Sequence, residues 1–364
     1  MRKATYLFLL FCIGAGCIGT ATIHAQAAKK PTPAESILCL VKGEDAVDIV
    51  DPVSFTVVAR MYAGGRPHEL VASTDGKTAY IGDESPKNNI GGRFGFSSYV
   101  SRETISVVDL VNQEELPPID LGPLRVPHGV TYADGKVYFG AQQARALGRY
   151  NTETKTVDWV MGVPGSPHMV AVTKDGKIIG LGGGGVDIVR LDVRKGSGVK
   201  PDNFNPNGAS ANPWLDSQTW HITSIPGGSE AFDISPDGRQ LITGDKDNLL
   251  VIDLASEKVV NTVHIDNASG PNRIKYTLDG KYILESFLGR PEVVVLDAAT
   301  YKEFKRIPTS GHTEGLLMNP DGKKAYVTED TAGLLGEIDL KTWTVTRELK
   351  VGEDPDGLAW ASRQ

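Results

Sequence analysis

Three histidines in this sequence, His68, His128 and His168, each directly follow a proline. Imidazole titrates near neutral pH, so such groups act as general acids and bases and, when neutral, bind Zn, Cu, Fe or Ni. Each histidine stands six or seven residues before an Asp-Gly pair, at Asp75-Gly76, Asp134-Gly135 and Asp175-Gly176. The same offset of seven before Asp237-Gly238, Asp279-Gly280 and Asp321-Gly322 falls on Glu230, Asn272 and Glu314. Asp356, after Pro355, completes the set. All seven side chains are polar and suited to hydrogen bonding. Proline precedes five of them, and its fixed φ and missing N–H suit the start of a strand.

The elements that must position these residues follow from the Asp-Gly pairs. Asp-Gly between apolar alternations is a strong hairpin signal. The six pairs are spaced by 59, 41, 62, 42 and 42 residues, a period of about 42 with two insertions of about 20. One unit shows the pattern inside a period: Ala231–Ser235, a Pro236-Asp237-Gly238 turn, Gln240–Thr243, Leu249–Leu254 and Val259–Val263. These are four short strands, A to D, with no competing helix. Six such units run from about Pro67 to Val351, Asp356–Trp360 reads as a lone strand A, and Ile37–Ala63 reads as strands B, C and D. Pairing the two ends closes a ring, which removes exposed sheet edges. The expected fold is all-β: a single seven-bladed β-propeller of four-stranded blades over 28–364.

Pro320-Asp321-Gly322-Lys323-Lys324-Ala325-Tyr326-Val327-Thr328, Thr104–Leu110 (TISVVDL) and Leu250–Leu254 (LVIDL) resemble the YVTN family of WD40-like propeller repeats. Glu329 stands where that motif has Asn. The resemblance covers essentially all of the chain after its first residues. It implies the propeller fold and a range of functions: exported binding proteins, lactonase-like enzymes, haem-d1 domains and quinoprotein amine dehydrogenase subunits.

Strands A of a propeller line its central channel, so His68, His128, His168, Glu230, Asn272, Glu314 and Asp356 are expected to ring one mouth. There they are expected to bind a small ligand or a protein partner. The first alternative is a metal-dependent lactonase-like hydrolase or lyase with His68, His128 and His168 around a divalent transition metal. The second is a redox-associated propeller of the quinoprotein or haem-d1 type. Against all of these stands plain channel lining, with polar groups satisfied by water. A solvated mouth implies that His128→Ala leaves stability almost unchanged while abolishing binding. Arg66, Arg125, Arg273 and Arg290 are placed to reach the same face and favour an anion. The insertion Glu84–Glu103, with Phe94, Phe96 and Tyr99, would rise beside the ring, and that at Gly196–Thr219 would project from the opposite face. Gly182–Gly185 reads as a tight turn, since no helix follows to make a dinucleotide site.

The N-terminal residues read as a targeting signal: Met1-Arg2-Lys3, an apolar run Tyr6–Ile18, and Ala25-Gln26-Ala27 as a cleavage site after Ala27. A periplasmic or secreted, monomeric protein is expected, with no transmembrane segment after cleavage. Lipidation at Cys17 is not expected, because the bulky aliphatic residue three places before the cysteine is missing. Cleavage would leave Cys39 as the one thiol of the chain's 3, within Ile37–Val41, where it reads as a small buried hydrophobe. No Cys-x-x-Cys-His sequence occurs, so no covalent c-type haem is expected. With 38 Lys+Arg against 45 Asp+Glu and a net charge of −7, nucleic acid is not an expected partner.

Overall fold

The computed structural model describes residues 29–83, 103–163, 165–173, 177–183, 187–192, 220–224, 230–256, 258–265 and 271–363. Residues 1–28, where the targeting signal is expected, nearly all of the first insertion, the whole of the second, Gly184-Gly185 and the Asp175-Gly176 pair lie outside them. The protein is an all-β propeller of four-stranded blades. Six blades are contiguous in sequence, with innermost strands Pro67–Ala72, Pro127–Ala133, Ser166–Val172, Phe232–Ile234, Pro271–Tyr276 and Thr313–Met318. A further sheet joins the two ends of the chain: Pro355–Ser362 pairs with Glu35–Val41, followed outwards by Ala46–Asp51 and Thr56–Tyr62. Its register sets Leu38 opposite Ala359 and Glu35 opposite Ser362.

Local chemistry makes the repeats. Gly76, Gly135, Gly238, Gly280 and Gly322 adopt φ between 65° and 73°, the left-handed backbone that glycine adopts without a Cβ penalty. In the A–B turns, Ser73, Ser235 and Thr277 donate to Asp75, Asp237 and Asp279 at 2.6, 2.6 and 2.8 Å. Several strands C end in an Asp whose carboxylate accepts N–H groups of the next turn, as Asp51 does from Val53 and Asp339 from Lys341 and Thr342. These Asx turns explain the recurring Ile-Asp and Val-Asp strand ends.

The core lies between blades. Ile37, Cys39 and Val41 pack with Tyr326 and Leu335 of one neighbouring sheet. The alternate residues Leu38 and Leu40 pack with Leu70 and Ile81 of the other. This two-sided burial is why the strand reads as an unbroken apolar run. Cys39 is a free, buried thiol, and burial pushes its pKa well above the ordinary value. The outer strands Glu114–Asp120 and Lys258–His264 are almost wholly exposed.

Candidate functional site

One backbone device places the candidate residues. Between Pro67 and Glu69 the innermost strand advances two residues while its partner advances one, so His68 is the extra residue of a β-bulge. His168 occupies the same position between Pro167 and Met169. Equivalent extra residues fall within 127–130, 271–274, 313–316 and 355–358, the stretches that hold His128, Asn272, Glu314 and Asp356. A bulge re-aims a side chain away from the sheet's alternation, and repeated around a ring it turns these groups toward one another. Arg66, Val126 and Asp354, each directly before a proline, have φ of 50°, 58° and 53°. That conformation is costly for a β-branched residue such as Val126. Glycines admit the close approach of neighbouring strands. A Cβ on Gly315 would lie 2.3 Å from the Asp356 carbonyl oxygen, and one on Gly357 2.3 Å from that of His68.

The seven residues do not line an open mouth. His128 and Asp356 are each 2% exposed, and His168, Asn272 and Glu314 are buried, whereas the Glu230 side chain is 47% exposed. Contacts run from blade to blade. Asp356 Oδ2 is 3.0 Å from His68 Nδ1. The rings of His68 and His128 lie 4.8 Å apart between centroids, and those of His128 and His168 lie 3.8 Å apart. His168 Nε2 is 3.1 Å from Glu230 Oε2, and its Nδ1 is 2.8 Å from the Glu230 carbonyl oxygen. Asn272 joins through Arg273, whose Nη1 donates to its Oδ1 at 2.9 Å.

Two cations bind this ring together. Lys42, on the short 3-10 turn Lys42–Glu44, places Nζ 3.1 Å from Glu314 Oε2, 3.3 Å from Asp356 Oδ2 and 3.3 Å from Asp354 Oδ1. Arg273 donates to Glu69 and lies 3.6 Å from Asp356 Oδ1. Lys42 and Glu69 lie outside the register argument made from the sequence. The available signals were a lysine ending an apolar strand and an acid directly after His68. Of the four arginines expected near the ring, Arg273 joins it, while Arg125 pairs with Glu103 and Arg290 with Glu292.

The charges divide the two central carboxyls. Burial alone would raise Asp356, but the hydrogen bond with His68 and the charges of Lys42 and Arg273 outweigh it and hold this carboxyl well below its usual range. Burial, then repulsion by Asp356, pushes Glu314 up to about 9 against the pull of Lys42. A neutral acid thus stands beside an ionised carboxylate, the arrangement that separates proton donor from proton acceptor. Burial and the neighbouring imidazoles drive His128 far below its ordinary pKa, so its ring is neutral at pH 7.

The raised Glu314 value fixes a pH dependence. The folded state binds this proton more tightly than the unfolded chain, so stability falls as pH rises from about 4.5 to about 9. Glu314→Gln, which mimics the protonated form, is expected to flatten that fall. Urea unfolding at pH 6, 7.5 and 9 checks it, and parallel profiles for the two proteins would contradict it.

The geometry bears on two sequence expectations. The three histidine rings pack at interplanar angles of 34°, and both nitrogens of His168 face Glu230, an arrangement that does not turn three nitrogens onto one ion. Among the described residues, the potential ligands whose donor atoms all lie within 4.8 Å of one another are Glu314, Asp330 and Asp354. Lys42 already contacts two of these. The expectation for His128 is corrected. It is buried between two rings, so His128→Ala opens a hole and is expected to cost about 1–3 kcal/mol rather than nothing.

No protein-family model matches the chain, and no curated protein matches it by sequence. Solved structures do. Kuenenia stuttgartiensis hydrazine synthase is similar over 80% of this chain and 89% of its own, at 17% identity and a TM-score of 0.62. A Bacteroides fragilis protein whose name proposes a 6-phosphogluconolactonase matches 91% of this chain and 99% of its own, at 16% identity and a TM-score of 0.65. The dihydro-heme d1 dehydrogenase NirN, in complex with DHE, matches 91% of this chain and 66% of its own, at 16% identity and a TM-score of 0.57. The likeness is one of fold. Among the described residues, no helix is long and apolar enough to cross a membrane.

Proposed function

We propose that this is an exported propeller of the YVTN type that binds a small ligand at the polar cluster of His68, His128, His168, Glu230, Asn272, Glu314 and Asp356, entered where His68 and Glu230 keep exposed surface. The observation that carries the reading is the repeated bulge. Five blades and the closing sheet each set an extra residue at the same level. A polar lining satisfied by water alone needs no such device, nor left-handed backbone at Val126. A thermal-shift screen with sugar phosphates, carboxylates, lactones and amines tests it. A compound that raises the midpoint should lose its effect in Asp356→Asn and His168→Gln. No shift from any compound, or shifts that survive both substitutions, would overturn the reading.

A second reading, a lactonase-like hydrolase or lyase, is favoured by the split between Glu314 and Asp356. Asp356 would orient His68 as the base, and Glu314 would hold the proton given to a leaving oxygen. The name of the Bacteroides fragilis neighbour supports testing lactones first. Turnover lost in both Glu314→Gln and His68→Gln supports it, and binding of lactones without turnover argues for the first reading.

A further inference from the structure

Next to the ring, the innermost strands line a partly open cavity of about 280 Å³. Its apolar wall includes Leu70, Val130, Phe232, Ile274 and Leu316. Four charged side chains also line it: Glu69, Arg273, Asp233 and Lys275. They form two pairs of unlike accessibility. Arg273 and Glu69 are 9% and 12% exposed, whereas Lys275 and Asp233, 3.3 Å apart, are 35% and 22% exposed. Asp233 is held in place, because its Oδ2 accepts the Tyr276 N–H at 2.8 Å. An ammonium has three donors, and Asp233 engages one of those of Lys275.

We propose that this cavity binds a small zwitterion with an apolar body, an amino carboxylate of the size of an aliphatic α-amino acid. The charged lining sums to zero, with two acids facing two bases. A ligand with a single charge engages one member of the Lys275–Asp233 pair and leaves the other unmatched, while one carrying both signs sets its carboxylate on Lys275 and its ammonium on Asp233. The apolar wall takes the hydrocarbon body. The volume lies at the small end of ligand cavities, about 300–1,000 Å³, which fits an amino acid and excludes a nucleotide or an oligosaccharide.

This cavity adjoins the ring and shares Glu69 and Arg273 with it, but the proposed contacts to Lys275 and Asp233 do not depend on the reading given there. Calorimetry on the whole protein with L-leucine, 4-methylpentanoate and 3-methylbutylamine tests it. Leucine is expected to bind, and each single-charge analogue to bind at least about tenfold more weakly, a difference of about 1.4 kcal/mol. Lys275→Gln, at a part-exposed position, should weaken leucine to a similar degree with an unchanged unfolding midpoint. No heat with leucine at millimolar concentration, or an analogue that binds equally well, overturns the proposal. His168→Gln, at a residue of the ring that does not itself line the cavity, should leave leucine binding intact. Its loss there would relocate the ligand to the ring, overturning the cavity proposal and leaving the ring reading in force.

Discussion

Lys42→Met is expected to destabilise the protein by about 3–5 kcal/mol at pH 7.5, the scale seen when one partner of a buried ion pair is removed. The Lys42 side chain is 7% exposed, and its ammonium serves Glu314, Asp354 and Asp356 at once. Burial works against that ammonium, but the three carboxylates more than offset it and raise its pKa above the ordinary 10.5, so its contribution is fully present across neutral pH. Without it, Asp356 and Asp354 lose their counter-charge, and Glu314 holds its proton more firmly. The deficit should therefore shrink toward pH 5, where the remaining carboxyls take up protons. Lys42→Arg, which keeps the charge, should lose less. Urea unfolding at pH 5 and 7.5 decides the matter. A Met variant within about 1 kcal/mol of the parent at both pH values would show that the carboxyls share protons among themselves and do not rely on the ammonium.

Arg273→Met is expected to cost about as much, roughly 3–5 kcal/mol, for a related reason. Arg273 joins Glu69, Asn272 and Asp356, groups contributed by three different sheets. Burial raises the pKa of Glu69 even with the guanidinium beside it. Removing the guanidinium takes away the charge that opposes this rise, so Glu69 should take up a proton more readily, which limits the loss. The double variant Arg273→Met/Glu69→Gln should recover part of the stability, because no charge is then left buried alone. Additive losses in that cycle, with the double variant worse than either single one, would mean that the two groups do not act as a pair.

Much of the architecture was legible in the sequence because it is written in local chemistry. The Asp-Gly turns need left-handed glycine, and the strand-end Asp residues cap the next turn. The run Ile37–Val41 is apolar at every position because both of its faces are covered. The pairing of Pro355–Ser362 with Glu35–Val41 follows from counting strands at the two ends. The names of His68, His128, His168, Glu230, Asn272, Glu314 and Asp356 came from the same register, since an offset from a turn is a local quantity.

What those residues do to one another was not legible. An offset places side chains at one level of a ring, but it does not show that strands carry bulges there, because a bulge is defined by the partner strand. Burial of His128 between two imidazoles depends on how closely adjacent blades approach, which Gly82 and Gly129 permit, since a Cβ on them would lie 2.1 Å from the His128 and 2.5 Å from the His168 carbonyl oxygen, and which a repeat period does not report. Lys42 is 272 residues from Glu314 in the chain, and Arg273 is 204 from Glu69. No sequence pattern links such pairs. Local chemistry along the chain is enough to specify the repeating β architecture and the ring of polar positions. Only the tertiary structure decided that the ring is a buried, cation-bridged cluster with one neutral and one ionised carboxyl, because charge, desolvation and hydrogen bonding act through space between blades.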